Sequence, residues 1–439
     1  MPSFKTLAAI LMIAIHLLSP FTLLASSDQE PPSLFDSAKQ GFSYSSRALL
    51  FVDTQDPGNS TQNPDNAFLR LYRYSGELHV RPDFFLELPY VSGLFKPRAM
   101  AYYRWWKDGV VADETDSDAR FYVNEWRIQA RPISELFLSF GKEKLFWGSS
   151  FLASPSNLFF KDTEKTRPKN EIEGKYLAKI LYLPNDIVTF SLVSNTQQDD
   201  GRSRPLHALK TEIMGSNYLV SFIGYEQRES RFRMGSFGQW TASDSIILYY
   251  DGVAQKGSDA LYPKRDPGLP FGGEFVKKYE DSSRLFFTAV AGGSYTTLSG
   301  STMTLEFLYN SEGYGDAEAR EYYDLRLNAS SHYFDTTPLS SLSRKTLAES
   351  LDTGLPFLRR YYVMAQYQAK DIKNVLDVIL RYAHSVEENA GAATTIVEWK
   401  LAESLSLFNI NNVGTRTDEN NEYNSLIRNS FMLGVEAHF

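Results

Sequence analysis

Acid–base or nucleophilic chemistry in this chain has to come from histidine, serine and carboxylates, because its 439 residues include no cysteine. The same absence excludes disulfides, thiolate-bound zinc and iron–sulfur sites. Of six histidines, His16 lies in an apolar amino-terminal run, and His79, His207, His332, His384 and His438 fall in five separate segments. Ser385 follows His384 directly, which in an extended strand sends the two side chains to opposite faces. No triad or paired-carboxylate grouping is signalled, so an enzyme is not expected. Gly272-Gly273 and Gly292-Gly293 are isolated pairs, without the strand-to-helix setting of a phosphate cradle. Residues 108–118 carry five acids in eleven positions. Such a cluster can hold Ca²⁺, but it lacks the spacing of a dedicated calcium loop and reads as a solvated acidic loop. Neither a metal nor a cofactor is expected.

A second set of charged residues says more. Arg104, Glu125, Arg127, Lys179, Lys210, Glu212, Arg233, Glu306, Arg360, Asp377, Arg381, Glu398, Lys400, Arg428 and Glu436 all fall at polar positions of segments that alternate polar and apolar. The pattern is plainest at the end of the chain. Phe431, Leu433, Val435, Ala437 and Phe439 share one face of a strand, and Arg428, Ser430, Met432, Gly434, Glu436 and His438 share the other. Residues 303–309, 376–382 and 397–401 repeat it, so the element that must position these charges is the β-strand.

Lys5, the apolar run Leu7–Leu18 and the small residues Ala25-Ser26-Ser27 read as a cleaved secretory signal over residues 1–26. The run is about a dozen residues, short of the roughly 20 that a membrane-spanning helix needs. A short periplasmic segment, 27–42, then leads into the strands at 43–439. Connections between strands alternate in length. Short turns are expected at 81–83, 131–133, 183–185, 214–216, 241–243, 292–298, 370–372 and 402–403. Long polar connections, including 108–118, 143–173, 254–281, 311–357 and 414–425, fall between them. A soluble sandwich has no reason to keep that parity, whereas a membrane barrel has short turns on one rim and long loops on the other. The count predicts an all-β, closed antiparallel transmembrane barrel of about 18 strands, with 16 also compatible.

In lipid the sheet must close, and a barrel of this size is too wide for its side chains to fill. Charges facing hydrocarbon cost about 2–4 kcal/mol each, so the polar faces point inward. Arg104, Arg127, Lys179, Lys210, Arg233, Glu306, Arg360, Asp377, Arg381, Glu398, Lys400 and Glu436 are therefore the expected pore-lining residues. The charged positions named above comprise nine basic and six acidic residues, which implies at most a mild preference for anions or mixed solutes. The whole chain has 45 basic and 53 acidic residues, for a net charge of −8. That sign does not suit a nucleic-acid partner. Tyr102, Tyr103, Trp105, Trp106, Tyr249-Tyr250 and Tyr361-Tyr362 suit interfacial girdles; a sugar-stacking ladder in the lumen is the alternative.

The terminal Gly434-Val435-Glu436-Ala437-His438-Phe439 resembles the carboxy-terminal signature of Gram-negative outer-membrane β-barrels, which implies Phe439 as a signal read by the barrel-assembly machinery. Gly141-Lys142-Glu143-Lys144-Leu145-Phe146-Trp147-Gly148 with Ser154–Phe159 is similar to a stretch of porin-like barrel proteins, departing from it at Ser154 and Asn157. The resemblance implies an outer-membrane location among lipid and lipopolysaccharide, and passive diffusion of small hydrophilic solutes through a monomer or trimer. A non-channel barrel acting in adhesion, assembly or export through loops 254–281 and 311–357 is the alternative. The connection 143–173 is the least polar of the long ones and is expected to fold inward rather than stand in water. By analogy with large porins it would constrict the pore through Trp147, Phe151, Phe159, Lys161 and Arg167. Its Lys165 and Lys169 would then face acids of the loop or of the opposite wall. The other possibility is that the loop packs on neighbouring loops above the membrane.

Overall fold

The computed structural model describes residues 39–57, 60–160, 165, 169–195, 205–227, 231–416, 421–423 and 425–439. The expected signal 1–26, most of the segment 27–42, and Lys161 and Arg167 lie outside them. The strands are β1 Phe42–Pro57, β2 Tyr74–Glu87, β3 Val91–Trp105, β4 Thr115–Ile133, β5 Leu136–Glu143, β6 Lys175–Tyr182, β7 Val188–Asn195, β8 Leu206–Met214, β9 Tyr218–Gln227, β10 Arg231–Ser243, β11 Ile246–Lys256, β12 Tyr262–Arg265, β13 Gly273–Val276, β14 Leu285–Thr296, β15 Thr302–Asn310, β16 Tyr361–Ile372, β17 Leu376–Ser385, β18 Ala390–Ala402, β19 Leu405–Gly414 and β20 Ile427–His438. All but β12 and β13 form one 18-stranded antiparallel sheet. Each strand pairs with the next, and β20 returns to β1 with Ala48 opposite Ala437 and Val52 opposite Leu433. The sheet is a closed barrel, and long connections alternate with short ones around most of it, except that the connections between β9 and β10 and between β17 and β18 are no longer than the short turns.

Period two sorts the side chains. Leu50, Val52, Phe121, Leu209, Phe222 and Leu305 are exposed on the outer surface, whereas Leu49, Phe51, Ser221 and Glu306 are buried. The same rule divides each Tyr-Tyr pair assigned to the girdle: Tyr103, Tyr250 and Tyr361 face out, and Tyr102, Tyr249 and Tyr362 are buried inside.

The expected turn at 81–83 is not a turn. Arg81, Pro82 and Asp83 continue β2, and the chain reverses at Leu88–Tyr90, where Leu88 N–H donates to the Val91 carbonyl at 2.9 Å. The β2–β3 ladder breaks between Val80↔Ala99 and Phe84↔Phe95, and Pro82 and Pro97 both stand in the gap. Neither has an N–H to give the ladder, which is why proline reads as a turn from sequence and is tolerated in a sheet only at such irregularities. The Arg98 guanidinium fills the gap, donating to the carbonyls of Pro82 and Pro97 at 2.8 and 2.9 Å.

The long connections on one rim build a cap. Loop 257–284 contains the β12–β13 hairpin, and loop 311–360 contains α1 (Asp316–Ser331) and α2 (Leu339–Leu351). These helices were not expected. Asp316 and Glu318 open α1, favourable charges at a helix start, and the Glu318 carboxylate accepts the Gly315 N–H at 3.0 Å. Tyr262, Phe275, Tyr314, Tyr322, Leu325 and Leu347 form the core of the cap. Phe68, from the β1–β2 connection, packs against it. Buried Arg326 reaches Thr61 Oγ1 at 2.9 Å.

Candidate functional site: the lumen and its inward loop

The connection 144–174, between β5 and β6, turns into the barrel. Trp147, Phe159 and Phe160 are buried against Leu177, Val193, Ala208, Ile223 and Phe237, inward residues of β6 to β10. Trp147 meets Phe159 edge-on, ring centres 6.0 Å apart, and Lys210 of β8 lies over the Trp147 ring at 5.4 Å. Beside the polar faces expected to point inward, the inner wall thus carries an apolar patch. Inward positions on these strands are apolar because the loop, not water, covers them.

Beyond Trp147 the loop reaches the wall on β11 and β15. The Glu306 carboxylate accepts the N–H groups of Phe151 and Leu152 at 2.6 and 2.7 Å, and the Ser150 hydroxyl at 3.1 Å. Asp251 accepts Ser156 N–H and the Ser154 hydroxyl, both at 2.7 Å. Lys165 Nζ donates to the Ser150 carbonyl at 2.9 Å and lies over the Phe151 ring at 5.2 Å. Burial lowers the pKa of this lysine, opposed by Glu306 and Asp251. On β17, Arg381 donates to the Lys165 carbonyl at 2.9 Å.

The returning limb is held by ions. Lys169 Nζ is 3.0 Å from Glu398 on β18 and also pairs with Glu436 on β20. Glu171 meets Arg98 of β3 at 2.6 Å, Arg47 of β1 at 3.4 Å and Arg81 of β2 at 3.8 Å. Burial works against a charged Glu171, yet the Arg98 hydrogen bonds and the Arg81 charge outweigh it and hold the carboxyl down to about 2. Lys142 pairs with Glu173 where the loop leaves the wall.

The loop therefore touches strands on every side of the barrel, and open space remains beside it. A cavity of about 450 Å³ lies between the returning limb and β1 to β4 with β19 and β20, lined by Asp53, Tyr72, Glu77, His79, Arg104 and Asn412 among others. A second, of about 630 Å³, lies between the loop and the cap, with Leu152, Leu158, Arg233, Asp259, Glu312 and Phe357 in its walls.

Compared by sequence, the chain matches no family model and no curated protein. Compared by fold, it is similar to the crystal structure of Acinetobacter baumannii OccAB1, with a TM-score of 0.53 and 12% identity over 91% of this chain and 96% of that one. Two Pseudomonas aeruginosa structures, OccK7 (OpdD) and OccK2 (OpdF), give TM-scores of 0.50 at 11% and 10% identity, each over 91% of this chain and 98% of the other. The fold shared with these structures is a closed antiparallel barrel, here of eighteen strands. At these identities the likeness is one of fold, and the chemistry of the site rests on the residues of this chain.

Within this barrel the expected lining residues are placed as follows. Arg104 lies 3.8 Å from Glu77 and over the Tyr102 ring at 4.1 Å. Arg127 and Lys179 both approach Glu143, at 3.8 and 2.6 Å. Lys210 pairs with Glu212 at 2.9 Å, and Arg233 lies 3.7 Å from Asp259. Glu306, Arg381, Glu398 and Glu436 meet the inward loop as described. Lys400 pairs with Asp371 and lies 3.8 Å from Asp377, at the short-turn rim. Arg360 differs. It precedes β16 and belongs to the cap, donating to the Gly313 carbonyl at 3.0 Å. The strand starts later than expected because carboxylates take the backbone N–H groups: Glu422 takes that of Leu358 and Glu387 that of Arg360.

Three of the five acids in the stretch 108–118 are paired with arginines. Asp108 pairs with Arg73 at 2.7 Å, Glu114 with Arg70, and Asp118 with Arg120 at 3.0 Å. The one serine–histidine contact noted among the described residues, Ser194 to His207 at 2.9 Å, is exposed. Sequence reasoning missed Arg47, Arg81, Arg98 and Asp251. Asp251 was accessible from its parity with Tyr249; Arg81 was hidden by the proline that made its segment look like a turn.

Proposed function

We propose that this chain is an outer-membrane channel through which small hydrophilic solutes diffuse passively. The observation that carries the reading is a closed wall whose interior bears opposed charges and whose inward loop leaves cavities beside it. Water-filled interiors lined this way are what barrels too wide to pack their own side chains present. The inward loop acts as the constriction, with Trp147, Phe151 and Phe159 as its apolar anchors and the lining charges facing the solute. A field between opposed charges at the narrowest point orients hydrated solutes. Export by the signal 1–26, recognition of the Phe439 end by the barrel-assembly machinery, and contact with lipid and lipopolysaccharide complete the proposal. The protein has no catalytic role in it.

Purified, folded protein in a planar bilayer should give stepwise conductance, and a folded barrel that conducts nothing would reject the channel. Excising Ser149–Leu158 should widen the pore. Unchanged conductance in a correctly folded deletion variant would reject the constriction while leaving the channel.

A further inference from the structure

Two consecutive N–H groups of the loop, Phe151 and Leu152, converge on one buried wall carboxylate, Glu306. An irregular segment inside a barrel must find partners for its backbone polar groups away from any ladder, and a carboxylate that accepts several N–H groups makes charge-assisted bonds, stronger than neutral ones. The wall is built for this. Tyr249 on β11 crosses over β14 to donate its hydroxyl to Glu306 at 2.6 Å. It can do so because the residue between them is Gly292, paired with Tyr249 on one side and with Glu306 on the other. A Cβ at Gly292 would lie 2.6 Å from the Tyr249 ring and 2.9 Å from Glu306 Cγ. Asp251, two residues on from Tyr249, grips the same loop at Ser154 and Ser156. The loop matches it with Gly148, whose φ is +81° and where a Cβ would come within 2.2 Å of the Asp251 carboxylate.

We propose that Glu306, supported by Tyr249 across Gly292 and accompanied by Asp251, is the positioning residue that presses the loop tip to the wall and so sets the aperture. The inference rests on the channel reading for its consequence, but not for its geometry. It also gives the Gly292-Gly293 pair a purpose, since the first glycine is the gap through which the bracket is assembled.

The test separates the two. A thiol introduced by Leu152→Cys in this cysteine-free chain is labelled with a maleimide in folded, detergent-purified barrel, which needs no conduction. Glu306→Ala should speed labelling by about tenfold or more, since a lost charged hydrogen bond shifts an opening equilibrium by about that factor. Glu306→Gln, which keeps one carbonyl acceptor, should fall between the two. Heat-modifiable migration checks that the barrel is folded. If Glu306→Ala does not fold, Tyr249→Phe removes a single donor and should still speed labelling several-fold. Labelling at the parental rate in the folded variants would overturn the proposal. Faster labelling with unchanged bilayer conductance would overturn the aperture role. A parent that never conducts would overturn the channel reading and leave the bracket to be judged on labelling alone.

Discussion

Glu171 gathers arginines from three consecutive strands, and its chemistry dictates how the returning limb responds to acid. Its pKa is depressed in the folded state, so the stabilisation it gives is fully present above the usual carboxylate range and is lost as pH falls from about 4.5 toward about 2. A spin label attached through Asn170→Cys should therefore stay immobile from neutral pH down to about 5 and become mobile below it. Glu171→Gln should be mobile throughout, because truncating one side of a buried ion pair typically costs about 3–5 kcal/mol. An immobile label at pH 3 would contradict this. Period two alone tells inside from outside for Arg104, Lys179 or Glu398 without any structure. The arginine partners of Glu171 were not legible, since a residue in an irregular loop has no period to read and they come from strands more than 70 positions earlier.

Among the elements, the cap is the part that sequence reading lost. A search for alternation passes over α1 and α2, and acids and alanines such as Asp316-Ala317-Glu318-Ala319 look like solvated loop until their tyrosines and leucines are seen to share a core. Leu347 is fully buried in that core. Leu347→Ala should cost about 2–5 kcal/mol locally, exposing residues 316–351 to protease while the barrel keeps its heat-modifiable migration. The cap also has a pH response opposite in sign to that of the returning limb. Glu422 is half-buried as a residue, but its carboxylate is enclosed: it takes the Tyr362 hydroxyl, and its N–H donates to Glu388 Oε2 at 2.9 Å. Burial, opposed by the Tyr362 bond and reinforced by the charge of Glu388, pushes the Glu422 carboxyl up to about 7. A raised carboxyl pKa favours the docked state below the ordinary value and penalises it as pH rises through about 7. Protease access to the β19–β20 connection should therefore increase between pH 5 and pH 8, and Glu422→Gln should abolish the change.

For the molecule as a whole, the strand count and most of the loop parity were legible, because a closed sheet leaves few alternatives. Boundaries were lost where proline or a carboxylate overrides the ladder, as at Pro82 and at Arg360. The parity predicts the outcome of a labelling experiment on intact cells: a thiol from Ser117→Cys, near the long-loop rim, reacts with an impermeant reagent, and one from Asp371→Cys, at the short-turn rim, does not. Equal labelling would refute the orientation. Deleting Phe439, or replacing Leu433 and Val435 with Asp, should prevent accumulation of folded barrel, since charge would then face hydrocarbon; normal levels of the heat-modifiable form would count against it.

The seam between β1 and β20 also has a bearing on time. Ser46 donates to the Phe439 carbonyl at 3.0 Å and accepts the Phe439 N–H at 2.9 Å, so the residue that follows β20 is bonded close to the start of β1. The free edge of β1 cannot be satisfied by its own barrel until β20, the last of its strands in chain order, is in place, and open strand edges invite pairing with other chains. The interval between formation of β1 and arrival of β20 is thus the period in which the chain is most exposed to mispairing, and it lengthens with every residue the large loops add.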